Sequence, residues 1–353
     1  MVVLKTNTVL CSRMNSMKNV FLICSNKVFY QNNIFKLDNP DNRDNCLYPY
    51  YLLQKELAKK GISLNTYDYL KEGMDDYGLL FFDFPKNMDY YLQKHKNIDK
   101  FLLVYESPIK NPANQKTENH AFFKKIFTWN EALVDNKKYF KVNYAQLVPK
   151  EPDYNMREKN KLCAAIFSHK MQSHPNELYS ERMKAIRWFE ALHPQDFDLY
   201  GEGWDRYYFK NRLFHLNRLK FITKLLKPDF PSYKGPAQEK KQTYEKYRFA
   251  ICYENSSFPN YITEKIFDCF FGFCVPIYLG ASNINDHIPQ NTFIDKRNFE
   301  SYEALYAFIK NMPDSEYEKY LQEIKKFLES EKMYPFTAEY FAKTISEELA
   351  KSS

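Results

Sequence analysis

A chain of 353 residues with 44% hydrophobic and 18% aromatic side chains can bury two cores, which excludes a disordered protein. Only eight glycines are present, which excludes fibrous and glycine-rich low-complexity classes. The net charge of +7 suits an anionic partner, whether nucleotide, nucleic acid or acidic membrane surface, without choosing among them.

After a polar start, NVFLICS (19–25) reads as a buried strand. PYYLLQKELAKKG follows with helical spacing and a terminal Gly61, and ISLNTYDY is another short strand. YGLLFFDFP and KFLLVYESP are continuous apolar runs that each stop at a proline. Continuous runs alternating with helices predict a parallel sheet covered on both faces, so the first half is a Rossmann-like α/β domain without a GxGxxG element. EPDYNMREKN (151–160) is polar and charged and is placed as the linker. KLCAAIFS (161–168) restarts the pattern, a helix ends near WFEAL, and FDLYGEGW supplies the next strand. RFAICYE, ITEKIFDCFF and CVPIYLG then form a compact βαβ unit, and helical spacing prevails from Ser301 onward. The expected division is 1–155, 156–330 and a helical segment 331–353.

The seven cysteines are scattered and mostly sit in apolar runs, so they read as reduced core residues of a cytosolic protein. Cys269 and Cys274 are the only close pair, and no HxxxH spacing completes a zinc site. No apolar run approaches the roughly 20 residues that span a bilayer, so a cytoplasmic location without signal peptide or anchor is expected.

The most informative stretch is CYENSSFPNYITEK (252–265), where a strand runs into a loop dense in amide, hydroxyl, carboxylate and amine groups. In open α/β sheets ligands sit beyond the carboxyl ends of strands, and this loop lies at such an end. A helix beginning at Thr263, Glu264 and Lys265 offers backbone N–H groups and partial positive charge to a diphosphate. Lys265 adds a full charge, and Glu264 suits vicinal ribose hydroxyls. The plainer alternative is that Thr263 caps the helix, Glu264 complements its dipole and Lys265 is solvated.

The run RFAICYENSSFPNYITEKIFDCFFGFCVPIYLGASNINDHIPQNTFID (248–295) resembles the signature block of glycosyltransferase family 10, the α-1,3/1,4-fucosyltransferases. The resemblance implies two Rossmann-like domains facing across a cleft in the GT-B arrangement, with the donor GDP-fucose held by the second. By position it implies Asn255, Tyr261, Glu264 and Lys265 as donor-binding residues, with Glu264 on the ribose and Lys265 on the diphosphate. It also implies an arginine on the helix after the first strand of that domain, where Arg182 is favoured over Arg187. The catalytic base implied by the E-S-P motif is Glu106, with Glu118 as competitor.

The implied reaction is inverting transfer of L-fucose from GDP-β-L-fucose to a hydroxyl of an acceptor glycan, such as N-acetylglucosamine in a LacNAc-type or lipopolysaccharide glycan, giving an α-1,3 fucoside. Another GDP-linked deoxysugar is the alternative, and a non-catalytic binder of glycan or nucleic acid is the reading from a different class. The complete Y-I-T-E-K block argues against nucleic acid as partner. No D-x-D element stands at a strand end, so no metal and no other cofactor is expected.

Further contacts are expected from Glu254 beside the loop, from Trp129 stacking on an acceptor sugar, and from His169 or His174 near the donor. Residues 206–227, RYYFKNRLFHLNRLKFITKLLK, carry seven Lys/Arg and no acid. Wound as one helix they gather Arg206, Lys210, Lys220, Lys224 and Lys227 on one side and apolar residues on the rest, with Arg212, Leu213 and Arg218 out of place. Such a helix can lie on an anionic bilayer at the inner face of the membrane, where a lipid-linked acceptor would be; a helix docked on the second domain is the alternative.

Overall fold

The computed structural model describes residues 17–149 and 159–352 except 208, 210 and 227. The strands of the first unit are β1 (Asn19–Ile23), β2 (Ser63–Thr66), β3 (Tyr77–Phe82), β4 (Lys100–Val104), β5 (Lys125–Thr128) and β6 (Tyr139–Lys141). They pair in parallel in the order β2-β1-β3-β4-β5-β6. Strand β4 is buried at every position, as its unbroken apolar run requires of a sheet covered on both faces. One face packs on α1 (Tyr48–Lys59), the other on α2 (Met88–Lys94).

The second unit holds β7 (Lys161–Ile166), β8 (Phe197–Tyr200), β9 (Tyr247–Tyr253), β10 (Val275–Leu279) and β11 (Ile294–Asp295), parallel in the order β11-β10-β9-β7-β8. Its helices are α3 (Tyr179–Leu192), α4 (Lys220–Leu225), α5 (Lys240–Tyr244), α6 (Glu264–Phe271), α7 (Tyr302–Lys310) and α8 (Asp314–Leu328). Ile266, Phe267 and Phe270 of α6 have no exposed surface, and each contributes roughly 1.5–3 kcal/mol by leaving water. The result is the GT-B architecture, two Rossmann-like α/β units with their sheets' carboxyl ends toward one cleft.

The chain then crosses back. Gln146 N donates to Phe336 O and Ala338 N to Gln146 O, at 2.7 and 2.9 Å. The last helix, α9 (Ala338–Ala350), buries Phe341, Ile345 and Leu349 in the core of the first unit beside α1.

The basic segment departs from expectation. In place of one long helix there is a 3-10 stretch, Asn211–Arg218, followed by the six residues of α4. Lys210 and Lys227 lie outside the described residues, as do the side chains of Lys220 and Lys224. What is described is apolar exposure: Phe221 is 79% and Leu225 73% exposed.

Candidate active site

The chain leaves β7 toward β8 on one side and returns to β9 on the other, so the loops after β7 and β9 diverge and open a crevice. A cleft of about 370 Å³ lies there, lined by Ser168, Lys170, Arg182, Asn255, Glu264 and Lys265 among others. Gly201, after β8, lies beside it with φ +128°; a Cβ would stand 1.8 Å from Phe167 O, so only glycine lets the two strand ends approach.

Glu254, the first residue beyond β9, has no exposed surface. Its carboxylate accepts from Thr263 N at 2.8 Å and Thr263 Oγ1 at 2.7 Å, and lies 3.2 Å from Lys265 Nζ. The Thr263 hydroxyl is thereby committed to Glu254 and makes no side-chain cap on α6. Lys265 is not solvated: Nζ donates to Thr263 Oγ1 at 2.7 Å and to Glu264 Oε1 at 3.2 Å. Burial opposes its charge, yet Glu254 and Glu264 outweigh that and strengthen its hold on the proton. Burial likewise works against the Glu264 carboxylate, but Lys265 and Lys240 bring it down to about 2. One turn on, Asp268 is pushed up to about 7 by burial, against Lys240 2.8 Å away.

Arg182, 4% exposed, reaches from α3 across the end of β9. Nη2 donates to Tyr253 O at 2.6 Å and to Asn255 Oδ1 at 3.0 Å, and the guanidinium lies over the Phe167 ring at 4.5 Å. Arg187 turns elsewhere, donating to Asp229 O and Glu190 beneath the Phe230 ring.

From the first unit, Glu106 follows β4 and is half-buried. Glu106 does not itself line the cleft, but its charge acts on Lys170 and on Tyr179, which also feel Arg182 and Lys265, so the carboxylate lies within electrostatic reach of the cleft. Three buried hydroxyls lack a partner among the described residues: Ser107 next to Glu106, Tyr179 beside Arg182, and Ser256 in the loop after β9. Glu118 is exposed on a 3-10 turn, twelve residues further on.

Several expected contacts are placed differently. Trp129 is 3% exposed, edge-on to Tyr261 at 5.1 Å between ring centroids, and has no open face for a sugar. Tyr261 is 1% exposed and does not line the cleft; its hydroxyl lies 3.2 Å from that of Tyr144. Glu254 is a buried partner of Lys265, with no surface to offer a ligand. His169 does not line the cleft but stacks on Trp204 at 4.5 Å, with Nδ1 3.2 Å from Gly203 O, while its neighbours Ser168 and Lys170 do line it. His174 Nδ1 accepts from Asn176 N.

Asp41, Arg43, Asp44 and Cys46, in the loop before α1 of the first unit, form one wall of the cleft. Arg43 Nη1 meets Glu202 Oε1 at 2.6 Å and Asp44 meets Lys240 at 3.4 Å, tying the two units together there. Asp44 and Asn45 hold left-handed backbone there, which Asp and Asn tolerate.

The family model for glycosyltransferase family 10 (fucosyltransferase), C-terminal part, matches residues 156–346. Among curated proteins, an alpha-(1,4)-fucosyltransferase of Arabidopsis thaliana is 40% identical over 68 residues, 19% of this chain and 17% of that protein. The alpha-(1,3)-fucosyltransferase FucT of Helicobacter pylori is 29% identical over 73 residues, 21% of this chain and 15% of that protein. These matches therefore span less than a fifth of either relative's length. Among solved structures, an alpha1,3-fucosyltransferase with GDP-fucose superposes with TM-score 0.52 at 15% identity, over 98% of this chain and 94% of that one. Anabaena Alr3699/HepE in complex with UDP and glucose superposes with TM-score 0.55 at 10% identity, over 95% and 100%.

Proposed function

The chain belongs to glycosyltransferase family 10, and on that premise we propose that it transfers L-fucose from GDP-β-L-fucose to a hydroxyl of an acceptor glycan, with inversion, forming an α-1,3 fucoside. The observation that carries this reading is the convergence of Arg182, Asn255, Glu264 and Lys265 on one cleft, with the Glu106 carboxylate on the facing unit. Glu264 takes the ribose hydroxyls, while Lys265 and Arg182 take the diphosphate. Tyr261 acts from behind, through packing.

A sugar hydroxyl is a weak nucleophile, so Glu106 accepts its proton as the new bond to the anomeric carbon forms. The bond from that carbon to the phosphate oxygen breaks, and GDP leaves with the electron pair. In this reading Lys265 and Arg182, which line the cleft, stabilise the charge that develops on the leaving group. With these cations supplying the positive charge, the proposed step calls for no divalent ion or other cofactor.

The proposed acceptor is N-acetylglucosamine in a LacNAc-type or lipopolysaccharide glycan, lipid-linked at the cytoplasmic face of a membrane. No described helix is long and apolar enough to cross a bilayer. The exposed Leu219, Phe221, Leu225 and Leu226, set in a segment with seven Lys/Arg and no acid, support peripheral contact with anionic lipid. A second reading, transfer of another GDP-linked deoxysugar, is supported by the same cleft, because its named contacts address the nucleotide and diphosphate.

The test is product analysis by NMR after incubation with GDP-β-L-fucose and N-acetyllactosamine. An α-fucoside on O3 of N-acetylglucosamine is expected. A β-fucoside would contradict inversion, and turnover of a different GDP-sugar alone would favour the second reading.

A further inference from the structure

Behind Glu106 lies a buried carboxylate to which the proposed chemistry assigns nothing. Asp83 directly follows β3, 9% exposed, with its backbone in the left-handed region at φ 62°. Asp83 N still donates to Leu103 O, at 2.9 Å, so the residue remains tied to β4 while its side chain lies over the end of that strand. A single oxygen, Oδ1, accepts from Tyr105 N at 2.8 Å, Glu106 N at 3.0 Å and Asn114 Nδ2 at 2.7 Å. Asn114, 1% exposed, accepts in turn from Phe84 N at 2.8 Å. The peptide that carries Glu106 is thus held from beneath by an acceptor fixed to the neighbouring strand.

The same peptide is also linked, through Tyr144 of the first unit, to the second unit. Tyr144 Oη donates to Tyr105 O at 2.6 Å, and with that proton committed, Tyr261 becomes the donor across the 3.2 Å to Tyr144 Oη. Tyr261 belongs to the loop that leads into Thr263 and Lys265. A continuous hydrogen-bonded path therefore runs from Asp83 through the 105–106 backbone to the loop that builds the cleft.

We propose that Asp83 is a positioning residue of the transfer reaction, setting where the Glu106 carboxylate stands relative to the cleft through the backbone N–H groups of Tyr105 and Glu106. The proposal rests on the reading of Glu106 as the base. Asp83 does not line the cleft, so its effect falls on the proton-transfer step and leaves donor binding alone. Burial pushes its carboxyl up to about 6 against the three donors, which leaves it mainly ionised at neutral pH, when its acceptor strength is greatest.

The experiment measures GDP release from GDP-fucose with N-acetyllactosamine, and with water alone as acceptor, beside GDP binding by calorimetry. Asp83→Gly removes the carboxylate without straining a backbone already at positive φ. It is expected to lower kcat by roughly 10- to 100-fold while the donor KM and the GDP Kd stay within about twofold. Asp83→Asn keeps an oxygen for both N–H groups and tolerates left-handed backbone, and is expected to restore most of the rate. Combined with Glu106→Gln, Asp83→Gly should add no further loss.

An unchanged kcat in Asp83→Gly, a loss of GDP binding in step with kcat, or full additivity in the double variant would overturn the proposal while Glu106 stood as the base. Wild-type turnover in Glu106→Gln would overturn the base assignment, and with it this inference. If Asp83→Gly does not fold, Asn114→Ala, which removes one donor to the same oxygen, should lower kcat severalfold at unchanged donor KM; an unchanged kcat there overturns the proposal.

Discussion

Glu254, with no exposed surface, holds its carboxylate 3.2 Å from Lys265 Nζ, so the amine proposed for the diphosphate is backed by a buried counter-charge. Removing one partner of a buried pair leaves the other charged and uncompensated. Glu254→Gln should therefore cost about 3 kcal/mol of unfolding free energy in urea denaturation. A loss below about 1 kcal/mol, the range of exposed pairs, would mean that Lys265 finds its compensation elsewhere.

The two arginines of α3 separate sharply by location. Charge-assisted hydrogen bonds contribute about 1.5–3 kcal/mol, or roughly 10- to 100-fold in affinity. Calorimetry should show Arg182→Ala and Lys265→Ala each weakening GDP binding within that range, while Arg187→Ala leaves it unchanged. Weaker binding by Arg187→Ala at full strength in Arg182→Ala would move the diphosphate out of the cleft described here.

Donor affinity should depend on pH through Asp268, whose carboxyl burial pushes up to about 7. A bound diphosphate adds negative charge nearby and raises that proton affinity further, so binding takes up a proton. The association constant for GDP-fucose, whose diphosphate has no secondary ionisation, should rise as pH falls from about 8 to about 6 through the Asp268 range. Asp268→Asn should flatten the profile; the same slope in wild type and variant would place the titrating group elsewhere.

Segment 206–227 makes its own prediction. Phe221→Ser combined with Leu225→Ser should lower cosedimentation with phosphatidylglycerol vesicles, as should neutralising Lys220, Lys224 and Lys227, and added salt should weaken wild-type binding. Sedimentation indifferent to all three would remove the membrane from the account.

Much of the architecture was legible because parallel strands buried on both faces read as continuous apolar runs, as in KFLLV, and because Gly272 marks the end of α6. The cleft was legible where chemistry is local in sequence: Asn255, Glu264 and Lys265 fall within eleven residues. What escaped was set by distance. Asp41 and Arg43 reach the cleft from the other unit. Trp129 and Tyr261 pack into each other across 132 positions, a burial that spacing along either strand could not announce. Residues 206–227 fit a helical wheel, yet the chain breaks at Leu219 into a 3-10 stretch and a short helix, because periodicity alone does not supply a surface to pack against. Asp83 sits one residue past a strand with nothing in its neighbourhood to mark it, because its three accepted hydrogen bonds come from segments 22 to 31 positions away.

The most direct measurement is acceptor-dependent release of GDP from GDP-fucose by the wild type and by Glu106→Gln. Catalysis by a positioned base predicts that the variant binds GDP normally while turnover falls by on the order of 10²–10⁴-fold. Wild-type turnover in Glu106→Gln, or failure of the wild type to bind GDP-fucose at all, would contradict the account.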